Sequence, residues 1–121
     1  MTTPDRLESY RAGWRKYRQQ KEQFLADRRR QAMEKAWLAA GHLKRQYGCK
    51  TYLFGSLARE GGFMEHSGID LAVSAPPGRV NFWQLYSEVM NILAPFEFDL
   101  VELERIDPEV RDYILREGVE L

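Results

Sequence analysis

The sequence predicts an α/β (α+β) fold, a small mixed sheet flanked by helices and preceded by a long helical extension. Three observations carry this. Residues from about 5 to 47 are spaced as helix and hold no Gly or Pro between Gly13 and Gly41. After Gly48 the pattern changes to short apolar runs of strand character, and helical spacing returns between and after those runs. The chain of 121 residues has room for one core and little for a second.

The helical stretch reads as one long helix or two consecutive ones. In its first part Leu7, Tyr10, Trp14, Tyr17 and Phe24 recur at helical spacing on one face, and Arg11, Arg15, Arg18 and Arg29 fall off it. In its second part Met33, Trp37, Ala40, Leu43 and Tyr47 repeat the spacing, and Gly48 is a C-cap candidate. Residues 1–30 are therefore read as a basic, aromatic extension and 31–121 as the domain proper. The aromatic stripe suits either packing within the chain or a partner. Strands are expected at Thr51–Phe54, Ile69–Val73 and Phe96–Leu103. Asn81–Leu93 reads as a helix with Asn81 and Gln84 able to form a capping box. A last helix is expected from Asp107-Pro108 to Glu117, stopped by Gly118.

Composition narrows the function classes. No apolar run approaches the ~20 residues a bilayer span needs, and the N-terminus lacks a signal-like apolar core, so a cytoplasmic protein without membrane contact is expected. The single Cys49 cannot form an internal disulfide, and His42 and His66 are too few and too scattered for structural zinc. Net charge is zero but divided: residues 1–50 hold 13 Lys and Arg against 5 Asp and Glu, and residues 51–121 hold the reverse. The basic half suits an anionic partner, whether nucleic acid, an acidic protein or the acidic half of a second copy.

In Phe54-Gly55-Ser56-Leu57-Ala58-Arg59 a strand runs into a Gly-Ser turn with a short helix expected after it. Glycine lets a phosphate approach the backbone, and a serine hydroxyl with helix N-terminal amides can donate to it. Asp70 then stands inside an apolar strand, where a charge is costly unless paired or metal-bound, and Asp99 repeats the situation in Phe98-Asp99-Leu100-Val101. Two strand carboxylates near a phosphate-cradling turn suit Mg²⁺-assisted phosphoryl or nucleotidyl transfer.

The run Gly55-Ser56, Ala58-Arg59, Ser67-x-Ile69-Asp70-Leu71, then Asp99, resembles the minimal nucleotidyltransferases of the DNA polymerase β-like superfamily over roughly residues 35–121. The resemblance implies a nucleotidyltransferase fold, with Gly55, Ser56 and Arg59 binding the nucleotide and Asp70 and Asp99 as catalytic, metal-holding carboxylates. It implies Mg²⁺ as cofactor and ATP as substrate. Such domains often serve as antitoxins beside HEPN-type toxins, and some transfer AMP from ATP onto the toxin.

The family pattern has a first aspartate two residues before the second, on the same face of the strand. Gly68 stands in that place, and the loop from Gly55 to Asp70 is about one residue longer than usual, at Glu60. Glu65, His66 and Glu97 are the nearby groups able to swing toward that place, but each reads first as a surface residue. Three functions follow as expectations: a working or weakened AMP-transferring enzyme; an inactive member acting by binding, with helix 5–30 as the contact to a HEPN-type toxin; and, ranked lowest, a nucleic-acid-binding module, since the acidic half repels that ligand. A homodimer or hetero-oligomer suits the divided charge.

Overall fold

A 44-residue helix opens the fold. The structure, a computed structural model, describes residues 4–75, 78 and 80–121. One continuous helix, α1 (Pro4–Tyr47), leads into β1 (Lys50–Phe54), a single 3-10 turn (Gly55–Ala58) and β2 (Ile69–Ser74). Then come α2 (Phe82–Leu93), β3 (Phe98–Glu102), α3 (Pro108–Glu117) and a two-residue strand β4 (Val119–Glu120). The four strands form one mixed sheet in the order β3-β2-β1-β4. β1 is antiparallel to β2 and to β4, and β2 is parallel to β3. The parallel pair is joined through α2, the helical crossover such a pair requires.

Local chemistry sets the ends of these elements. At the C-terminus of α1 the backbone N–H of Gly48 donates to the Lys44 carbonyl at 3.0 Å, in a left-handed conformation (φ 68°) that glycine adopts without strain. The Asn81 side chain accepts from the backbone N–H groups of Trp83 and Gln84 at the start of α2, the Asn half of the expected box. Asp107 accepts from Glu109 N–H at 2.8 Å, with Pro108 in the first turn of α3.

Strand alternation divides the core. Ile69, Leu71 and Val73 of β2 lie in the larger cluster, against α1 and α2. Ala72, between them, belongs to a smaller cluster with Leu103 and Ile114 beneath α3, which Tyr52 and Phe54 flank. α1 and α3 thus cover opposite faces of the sheet. α1 also latches to α2: the Tyr47 hydroxyl donates to the Glu88 carboxylate, which His42 approaches at 3.5 Å.

Three expectations change. The buried stripe of α1 is Ala32, Ala36, Ala39 and Leu43, together with Ala40, while Trp37 is exposed. Of the expected stripe, Leu43 and Ala40 are buried and Met33 and Tyr47 pack against the core, so only Trp37 falls outside. Ala32, Ala36 and Ala39 complete the face, their small side chains letting the helix sit close on the sheet. β3 begins at Phe98 rather than Phe96; Phe96 is buried in the turn before it, its N–H donating to Leu93 carbonyl. β4 is new, and pairs Tyr52 with Glu120 and Leu53 with Val119. Along α1, every described residue from Arg6 to Phe24 is exposed, and packing begins at Leu25. No helix among the described residues is long and apolar enough to cross a membrane.

Candidate active site

Strand pairing builds a row of three residues across the sheet. Phe54 of β1 faces Asp70 of β2, and Asp70 faces Asp99 of β3 in the same register. Since Ile69 and Leu71 point to the larger core, Asp70 projects from the opposite face, with Ala72 and Phe54. The two aspartates are therefore side by side although 29 positions apart in the chain. Asp70 is half-buried and Asp99, on the edge strand, is exposed.

Directly after Phe54 the chain turns at Gly55, with φ 74°. A Cβ at Gly55 would lie 2.0 Å from Oδ2 of Asp70, so the Asp70 carboxylate fills the space a side chain would take. Both the backbone conformation and the close approach require glycine. Ser56 and the rest of the 3-10 turn follow, pinned by the fully buried Leu57 and closed by Arg59 N–H donating to Ser56 carbonyl at 3.3 Å. Gly55 thus lies against Asp70, with Ser56 next in the chain, whereas the Arg59 side chain is exposed beyond the turn.

Asp70 has an unusual proton affinity. Burial in the sheet, then the negative charge of Asp99, then a hydrogen bond with Asp99 push its carboxyl up to about 6. Two adjacent carboxylates with no cation between them favour either a shared proton or a bound cation.

Gly68 lies just before β2, where the N–H of Ile69 donates to the Glu97 carbonyl at 2.9 Å. A Cβ built on Gly68 would come within 3.0 Å of that carbonyl oxygen and 3.3 Å of its carbon. Position 68 is therefore tight: a side chain there needs the backbone leading into β3 to give by a few tenths of an ångström. The three nearby polar groups are surface residues, as their sequence context suggests. Glu65, His66 and Glu97 are exposed and line a shallow hollow with Arg28 and Ser67 that includes neither aspartate. Among the described residues no three His, Cys, Asp or Glu side chains converge.

Two arginines of α1 reach the loops around the site. Arg29 donates to the Leu57 carbonyl of the 3-10 turn at 3.5 Å, and Arg28 lies over the Phe96 ring at 4.8 Å. Sequence reading placed Arg29 only off an apolar face. Nothing in local spacing indicates a partner 28 positions away.

Comparison with known proteins identifies the fold and the family. The family model "Polymerase beta, Nucleotidyltransferase" matches residues 44–121. A solved structure described as "putative minimal nucleotidyltransferase" is similar, with 25% identity and a TM-score of 0.61, over 74% of this chain and 91% of that one. No curated protein matches the sequence.

Proposed function

The chain belongs to the polymerase β nucleotidyltransferase family, and on that premise we propose that it transfers AMP from ATP to a hydroxyl group, with a reduced metal-ligand set. The observation that supports the reading best is the in-register pair Asp70 and Asp99 beside the Gly55-Ser56 turn. Two adjacent carboxylates, with burial and Asp99 making Asp70 costly to ionise, suit one hard dication, and Mg²⁺ accepts one or two carboxylates together with substrate phosphates and water. A set of two ions does not fit, because Gly68 stands where the family's first ligand would be and among the described residues no third carboxylate replaces it. Asp70 and Asp99 would hold the single Mg²⁺, which when bound supplies positive charge against the transferring phosphate.

The other roles fall to the chain itself. The Gly55-Ser56 turn offers backbone N–H groups and a hydroxyl to the nucleotide's phosphates, and Arg59 follows on the exposed side of that turn. Asp99, the more exposed carboxylate, is the one an acceptor hydroxyl can reach. It orients that hydroxyl and takes its proton as the oxygen bonds to the α-phosphorus and the bond to the β-phosphate breaks, releasing pyrophosphate. The acceptor we favour is a HEPN-type toxin, with this chain as its antitoxin, an assignment that rests on the family resemblance alone.

The tight contact at position 68 favours a second reading, in which the chain binds the same partner without catalysis. Transfer of label from α-labelled ATP, with Mg²⁺ or Mn²⁺, into host-cell proteins and RNA separates the two. We expect the natural chain to label a protein acceptor and Asp70→Asn to label none. Labelling by Gly68→Asp alone would establish the binding role, and labelling that survives Asp70→Asn would overturn the site.

A further inference from the structure

From Arg6 to Phe24, α1 leaves the domain as a free helix about 28 Å long. Its stripe of Leu7, Tyr10, Trp14, Tyr17 and Phe24 is 52–65% exposed. Five large apolar side chains on one face of a helix half that is exposed throughout its described residues are the mark of an interface. The charge around them is selective: residues 6–24 hold six Arg and Lys against two Glu.

The opposite composition occurs on the other side of the same molecule. Residues 102–121, which include α3 and β4, hold seven Asp and Glu against three Arg. The two segments therefore carry +4 and −4. Val110, Tyr113 and Val119 are roughly half exposed there, among Glu109, Asp112 and Glu120. Both surfaces combine apolar area with charge, and the charges are opposite.

They do not meet within one chain. The anchored half of α1 packs on the sheet face that carries Leu71 and Val73, and α3 covers the face that carries Ala72. α1 is one continuous helix, with no break at which its free half can fold back. Two free halves paired with each other would bring +8 into a single seam.

We propose that the free half of α1 docks on the α3–β4 surface of a second copy of this chain, each copy giving one helix and receiving one. The contact is then made twice about a two-fold axis and closes, leaving no unpaired surface for further growth. Trp14 and Tyr10 anchor it, and the arginines and lysines around them set its orientation against the acidic surface. The inference uses no residue of the nucleotidyl-transfer site and stands independently of that reaction.

The test is light scattering of the full chain at low and high salt, with Trp14→Ala on one surface and Glu109→Lys with Asp112→Lys on the other. All three substituted side chains are exposed, so the fold tolerates the changes. The natural chain is expected to be a dimer that weakens with salt. Each variant should raise the dissociation constant about tenfold or more. A zero-length carbodiimide should join Lys16 or Lys21 to carboxylates of α3 between isotopically distinct copies. Four results would overturn the proposal: a monomeric natural chain, an α3 variant that dimerises normally while Trp14→Ala does not, cross-links from helix to helix, or an α1 stripe that engages only nucleic acid or a different acidic protein.

Discussion

Asp70 is where burial, charge and chemistry compete most directly. Its folded-state carboxyl titrates near 6, above the ordinary aspartate range, mainly from burial and secondarily from Asp99. Between about pH 4 and 6 the folded state thus binds more protons than the unfolded one, so this group's contribution to stability falls as pH rises. It is fully present below pH 4 and lost above 6. Melting temperature against pH should show the natural chain declining relative to Asp70→Asn across that window, with the difference flat above it; parallel curves would refute the coupling. At neutral pH Mg²⁺ should stabilise the natural chain, by about 2.7 kcal/mol at a hundred times its dissociation constant, and leave Asp70→Asn unmoved. The two glycines are predicted to behave differently. Gly55→Ala places a methyl group against the Asp70 carboxylate in a left-handed conformation, and should abolish the Mg²⁺ effect as well as lower stability. Gly68→Asp needs the Glu97 backbone to yield by only a few tenths of an ångström. It should cost on the order of 1 kcal/mol of stability while strengthening Mg²⁺ binding, measurable by melting with and without the ion.

At the scale of elements, the caps are the most independent contributions. Asn81 holds two N–H groups at the start of α2, and α2 both bridges the parallel strands and takes the Tyr47 hydroxyl through Glu88. Asn81→Ala should therefore cost about 1 kcal/mol, roughly 4 °C of melting temperature, without altering the site. The Tyr47–Glu88 bond also pushes the tyrosine up to about 12, chiefly because the phenol donates to the carboxylate, so this latch holds through the neutral range. These caps were legible in the sequence because Asn81, Asp107-Pro108 and Gly48 act within a few residues of themselves. The strand aspartates were legible too, since a charge in Ile69-Asp70-Leu71 has few cheap explanations. Other features depend on distant partners. The buried face of α1 was decided by how closely Ala36 and Ala39 can approach the sheet, which residue size along the helix does not reveal. β4 is two residues long and exists because β1 offers it an edge. The exact register of Asp70 with Asp99, and the pressure of the Glu97 backbone on position 68, follow from strand pairing across a helical crossover. No spacing within either strand encodes them.

Taken whole, the molecule consists of a folded body and an arm. The family model begins at residue 44, inside the last turn of α1, while side-chain packing on the domain begins at Leu25. The helix segment between them belongs physically to the body: Ala32, Ala36, Ala39 and Leu43 are fully buried against Leu71, Val73, Val89 and their neighbours. Losing that segment would uncover one face of the sheet. Arg6 to Phe24 contribute no buried side chain, and an isolated helix of that length is marginal in water. Removal of residues 1–24 should therefore leave the melting temperature of the monomer, measured dilute and at high salt, unchanged to within the roughly 0.5 kcal/mol of ordinary surface changes. Under the same conditions amides of residues 6–24 should exchange rapidly in the full chain, while those around Ala36 and Leu43 exchange only through global opening. Removal through residue 43, which keeps the whole span of the family model, should instead abolish cooperative melting, because the Leu71 and Val73 face is then open to water. If the longer truncation still melted cooperatively, the anchored half of α1 would be an accessory to the fold rather than part of its core.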